Sequence, residues 1–143
     1  MSDAAPPADL PADSLERLWV MQATLNRYTL EQNDQPSMDA MRADRALQEK
    51  WIQNYVLAIR QECAEAMDST NWKWWRTKVD KFDMQNIRVE LIDILHFWIS
   101  ACQVAGLSAA DVMRIYEEKN KVNFERQHSG YIVKDENDSR HIG

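Results

Sequence analysis

Two pairs of carboxylates stand out in this chain, Glu62-x-x-Glu65 and Glu90-x-x-Asp93. Residues three apart on an α-helix project from one face, one turn apart. Both pairs fall in stretches whose other residues are those of a buried helix. Four inward carboxylates cannot stand as a bare cluster of charge; protonation, basic partners or cations must offset their desolvation and repulsion. Oxygen ligands of this kind suit hard divalent cations, Mg²⁺ or alternatively Mn²⁺, which commonly bridge to substrate phosphates. The spacing therefore predicts a multi-carboxylate metal site between two packed helices.

Other residues supply the remaining parts of such a site. Gln22 and Asn26 share a helical face with Leu15 and Leu18, either as amides at the core edge or as donor–acceptor groups for a ligand. Asn71-Trp72-Lys73-Trp74-Trp75-Arg76 packs three tryptophans and two bases into six residues, as a core or dimer contact or as positive charge beside a polyanion. The segment Lys119 to Gln127 loses its apolar stripe and gains amides and bases. Its Lys119 and Arg126 would complement phosphate oxygens left free by metal. His96, three residues past Asp93, reads more readily as a hydrogen-bonded core histidine than as a ligand. On residues alone, this constellation points to metal-dependent hydrolysis of a nucleotide phosphoanhydride.

The elements that must position these groups are helical. Three Gly and four Pro in 143 residues, with three of the prolines in the first eleven, leave few breakers in the body of the chain. Hydrophobic content of 45% with 28% charged residues fits a single globular domain. Asp13 and Glu16 start a first helix reaching about Leu30, and Asn33 to Ser37 form a loop. A second helix, beginning between Met38 and Arg45, runs to about Met67 with Trp51, Tyr55, Ala58, Glu62 and Glu65 on one stripe. Met84 to Ala105 form a third, apolar nearly all round and expected to be buried. Gly106 stops it, and Ser108 with Asp111 caps a fourth. The expectation is an all-α bundle of four to five helices. It has a leader over 1–13, a catalytic body over 14–127 and a closing tail over 128–143.

A net charge of −6 argues against general nucleic-acid binding. The most apolar run, Leu91 to Leu107, is interrupted by Asp93, His96, Ser100 and Gln103. It also falls short of the roughly 20 apolar residues of a membrane span, so no membrane is expected. Cys63 and Cys102 form no metal-binding array and are expected to be buried, reduced thiols in a cytoplasmic protein.

Glu62-Cys63-Ala64-Glu65, Trp72-Lys73-Trp74-Trp75, Glu90-Leu91-Ile92-Asp93 and Lys119-Asn120-x-x-Asn123-x-x-Arg126-Gln127-x-x-Gly130-Tyr131 together resemble the dimeric-type dUTP diphosphatases. Those enzymes are members of the all-α nucleoside triphosphate pyrophosphatase superfamily that includes MazG-like proteins. The resemblance implies a homodimer that hydrolyses dUTP, and in many members dUDP, with Glu62, Glu65, Glu90 and Asp93 holding Mg²⁺. Glu65, or else Glu62, would activate the attacking water. Lys119, Asn123, Arg126, Tyr131 and Lys134 would bind phosphates and sugar. Gln22 and Asn26 would read uracil beside Trp51 or the Trp72, Lys73 and Trp75 segment. Three alternatives stay open: a MazG-like pyrophosphatase for dCTP or dTTP, a di-iron carboxylate bundle, and a helical interaction module.

Overall fold

The computed structural model describes residues 10–76, 80–130 and 142–143. Among these, all regular structure is helical: α1 (Ser14–Gln32), α2 (Met38–Ala43), α3 (Arg45–Asp68), α4 (Met84–Val104) and α5 (Ala109–His128). The chain divides into two compact units, Met1–Gly106 with α1 to α4 and Leu107–Gly143 with α5.

The helix starts obey local chemistry. Asp13 accepts from the Glu16 N–H at 2.8 Å, Asp83 from Asn86 at 3.0 Å, and Ser108 with Asp111 forms a full reciprocal capping box on α5. The expected second helix is broken at Asp44, whose backbone is extended (φ −123°, ψ 116°). Its carboxylate caps the Leu47 N–H at 2.9 Å, so one residue ends α2 and begins α3. A short polar side chain that competes for backbone N–H groups explains the break. Gly106 stops α4 at φ +82°, a conformation that costs any residue with a Cβ.

In the first unit α3 packs along α4, α2 touches both, and α1 lies on α4. The core joins Leu30, Met41, Tyr55 and Val104, flanked by Trp51, Ile52 and Phe97. Burial pushes the Tyr55 hydroxyl up to about 12. The C-terminal carbonyls of α4 are satisfied from outside the helix: Arg42 donates to Gln103 O at 3.0 Å and Gln48 to Val104 O at 2.8 Å. The short α2 thus serves as a brace for the end of α4.

Two expectations fail here. Helix α4 is not buried all round, because Val89, Leu91 and Ile92 are each more than half exposed. Its neighbours α1, α2 and α3 cannot enclose a full cylinder. Of the thiols only Cys102 is buried, and burial raises it to about 11; Cys63 is exposed. One residue past Glu62 is a rotation of about 100° on a helix, which carries Cys63 off the inward stripe.

Candidate active site

Tyr55, Ala58, Glu62 and Glu65 continue one face of α3 toward α4, where Glu90 is buried. The carboxylates of Glu62, Glu65 and Glu90 each place an oxygen within 4.8 Å of the others. Two oxygens on opposite sides of one Mg²⁺ would be roughly 4.2 Å apart. The donor set therefore suits a hard divalent cation after small side-chain adjustments. The Glu62 carboxyl is held above the ordinary carboxylate value, first by burial. A hydrogen bond shared with Glu90 adds to this, as do the charges of Glu65, Asp93 and Glu90. Asp93 thus belongs to the same electrostatic group. Glu65 accepts a hydrogen bond from Gln61 at 2.9 Å, which orients its carboxylate.

Glu62 and Asp93 also line a cleft of about 740 Å³ whose other walls include Gln22, Asn26, Trp51, Tyr55, His96 and Phe97. The structure thus brings two of the four expected acids and the expected first-helix amides to one cavity. The amides are not free, however. Gln22 Nε2 donates to Asn26 Oδ1 at 2.9 Å and to Ser100 Oγ at 3.1 Å. Asn26 Nδ2 donates to Gln103 Oε1 at 3.0 Å, and Gln103 Nε2 to the Trp19 carbonyl at 3.0 Å. His96 Nδ1 lies 2.6 Å from Gln22 Oε1. Both sequence readings of these amides hold in part: they are buried and networked, and they line the cleft.

Trp51 lies over Tyr55, with ring centroids 5.7 Å apart. Its buried indole Nε1–H has no hydrogen-bond partner among the described residues. A buried N–H without an acceptor on the wall of a cleft is the kind of group a ligand carbonyl satisfies. Trp72 and Lys73 instead line a separate cavity of about 420 Å³ with Asp68, Asn71 and Asp80. There Trp72 Nε1 donates to Asp68 at 2.8 Å, Lys73 Nζ sits 5.1 Å over the Trp72 ring, and Trp75 stacks edge-on against it at 5.7 Å.

Lys119, Asn123 and Arg126, at spacings of four and three, occupy one side of α5 in the second unit. Tyr131 and Lys134 lie outside the described residues. Sequence reasoning underweighted Ser100 and Gln103, which complete the buried network. Their signal was present: Asp93, His96, Ser100 and Gln103 recur at three, four and three, a polar stripe running down an otherwise apolar helix.

A family model described as dUTPase matches residues 14–103, which contain all four acids and both amides. The dCTP pyrophosphatase of Enterobacteria phage T4 is 35% identical over 74 residues, and that of Enterobacteria phage LZ5 is 32% identical over 74. In each case the match covers 44% of this chain and 43% of the relative, so the chain spans less than half the length of these curated relatives. No solved structure is matched.

Proposed function

This chain belongs to the dUTPase family, and on that premise we propose that it is a Mg²⁺-dependent nucleoside triphosphate pyrophosphatase acting on dUTP. The reaction is dUTP + H₂O → dUMP + pyrophosphate, by attack of water on the α-phosphorus. One observation carries the reading: Glu62 belongs both to the acid cluster and to the cleft walled by Gln22, Asn26 and Trp51. Base and phosphate chemistry therefore share a wall.

Glu62, Glu65, Glu90 and Asp93 would hold Mg²⁺, or Mn²⁺ in its place; the bound cation supplies charge neutralisation at the phosphates and a lower pKa for the attacking water. The chain's own groups do the rest. Glu65, steadied by Gln61, takes the proton of the attacking water. The Trp51 N–H and the Asn26 amide give donors to a pyrimidine carbonyl. Phe97 and Tyr55 close the cleft wall against water. Lys119, Asn123 and Arg126, with Tyr131 and Lys134, bind the phosphates and sugar. The protein is a homodimer in this reading, because Val89, Leu91 and Ile92 on α4 leave an apolar face that a second copy would cover. A soluble, cytoplasmic enzyme without nucleic-acid or membrane partners fits the acidic charge.

A second substrate, dCTP, is favoured by the relatives, which are dCTP pyrophosphatases. Release of pyrophosphate from dUTP, dCTP and dTTP, with and without Mg²⁺, tests both readings. Turnover that requires Mg²⁺ and is fastest on dUTP is the expected result. Faster turnover of dCTP reassigns the base, and equal rates on dUTP and dTTP remove the uracil-specific assignment. No turnover of any of the three overturns the enzymatic reading.

A further inference from the structure

The buried network beneath the cleft has a direction that does not depend on how any amide is drawn. It starts at the Trp19 backbone carbonyl, which can only accept, so Gln103 must face it with Nε2, as at 3.0 Å. Gln103 Oε1 then faces Asn26 and requires its Nδ2–H. Asn26 Oδ1 in turn faces Gln22 and requires Nε2–H. The second Nε2 hydrogen goes to Ser100 Oγ, whose own hydrogen has the Asn26 Oδ1 or the His96 carbonyl as acceptor. Gln22 Oε1 is left facing His96 Nδ1 at 2.6 Å, a contact that is attractive only if Nδ1 carries a hydrogen.

Five side chains from α1 and α4 are thus set in one sense by a single backbone oxygen. Gln22 has no hydrogen left to give, and the Asn26 carbonyl already accepts from Gln22 and stands open to Ser100. What these amides still offer the cleft is a lone pair on Gln22 Oε1 and one N–H on Asn26. An acceptor beside a donor complements the imide N–H and carbonyl of uracil. Cytosine seated in the same place presents the reverse pair, a ring nitrogen acceptor and an amino donor.

We infer that His96, exposed at the cleft end of this network, is a positioning residue for base selection: its Nδ1–H clamps Gln22 Oε1 and holds in place the lone pair that matches a uracil-type edge and mismatches a cytosine-type edge. This deepens, and rests on, the nucleotide-hydrolase reading above. Without the clamp the Gln22 amide keeps its Nε2–H bonds to Asn26 and Ser100, but nothing holds its Oε1 lone pair on the base edge. Selectivity would then fall without any change at the acids.

Two measurements test this separately from the function itself. Long-range ¹⁵N–¹H correlation spectra of the whole wild-type protein at alkaline pH, with the His96 signals assigned by loss in H96N, report the tautomer directly. The Nδ1–H form is expected, and an Nε2–H form overturns the proposal whatever the enzyme turns over. The second is kcat/KM on dUTP and dCTP for wild type, H96N and H96Q. An Asn amide places its N–H near the Nδ1 position, whereas Gln reaches the Nε2 position instead. H96Q should lower the dUTP-over-dCTP ratio about tenfold, the scale of one hydrogen bond, mainly through KM for dUTP. H96N should restore most of that ratio. Equal loss in both variants would place the Nε2 edge on the base and refute the clamp, and an unchanged ratio in both would refute it as well. If wild type hydrolyses neither nucleotide, the functional reading falls, while the tautomer measurement still decides the relay.

Discussion

Replacing Asn26 by Leu, a side chain of similar size, cuts the relay at its middle. Two buried groups lose their one partner among the described residues: one Nε2–H of Gln22, formerly at 2.9 Å, and Oε1 of Gln103, formerly at 3.0 Å. Gln22 and Gln103 are only 6% and 7% exposed, so water does not readily replace the lost partner. The Ser100 hydroxyl keeps the His96 carbonyl at 2.9 Å and adds no cost. Each orphaned group costs about 1–3 kcal/mol, so the gross loss is roughly 2–6 kcal/mol. Burial of the new Leu side chain returns about 1.5–3 kcal/mol of that. A net destabilisation of about 1–3 kcal/mol is expected from the shift of the urea midpoint at constant m. The sharper test is the cycle with Gln103→Leu. That single change orphans Asn26 Nδ2, while the Trp19 carbonyl keeps its bond within α1. The double variant leaves one orphan, Gln22 Nε2, where the two single changes together leave three. The double variant should therefore cost no more than Asn26→Leu alone, with a coupling of about 1–3 kcal/mol. Strict additivity, or an Asn26→Leu protein as stable as wild type, would refute the relay.

The remaining predictions concern the acids, the indole and a turn. Because Glu62 holds its proton more tightly folded than unfolded, its contribution to stability without metal is full below the ordinary carboxylate pKa and is lost as pH rises through the raised value. Melting temperature without Mg²⁺ should fall across that window while the Mg²⁺-induced gain grows, and Glu62→Gln should flatten both trends and abolish turnover; melts across pH that are parallel with and without Mg²⁺ would argue against a cation among these carboxylates. Trp51→Phe removes an N–H that has no partner in the described residues, so KM for dUTP should rise about tenfold in steady-state kinetics; an unchanged KM would remove Trp51 from the base wall. Gly106→Ala meets nothing within 4 Å but must adopt φ +82°, so denaturant melts should show a loss of about 1–2 kcal/mol from backbone strain alone.

Much of the site was legible because it obeys helical periodicity. Glu62 and Glu65 are one turn apart, as are Glu90 and Asp93; Glu90 is buried and Glu62 and Asp93 half-buried, whereas Glu65, expected to point inward, is exposed at the edge of the cluster. That register predicted the clustering of Glu62, Glu65 and Glu90 before any packing was known. Gly106 and Ser108 were legible for a similar reason, since caps are local chemistry. The break at Asp44 was local too, but a Met38-to-Met67 apolar pattern masked it. Exposure was not legible. The apolar character of α4 predicted burial, yet burial depends on how many neighbours one chain can place around a helix, and Val89, Leu91 and Ile92 remain open.

The chain's own order of residues determined the helices, their caps and the one-turn spacing of each acid pair, because all three depend on contacts within about one helical turn. Only tertiary structure decided what Gln22 and Asn26 do. Spacing left them as either core amides or ligand readers, and partners 74 to 78 residues away, His96, Ser100 and Gln103 on α4, settled which atoms remain free. Donor and acceptor are interchangeable on an isolated amide. They become distinct when a fixed carbonyl, here that of Trp19, stands at the end of the line.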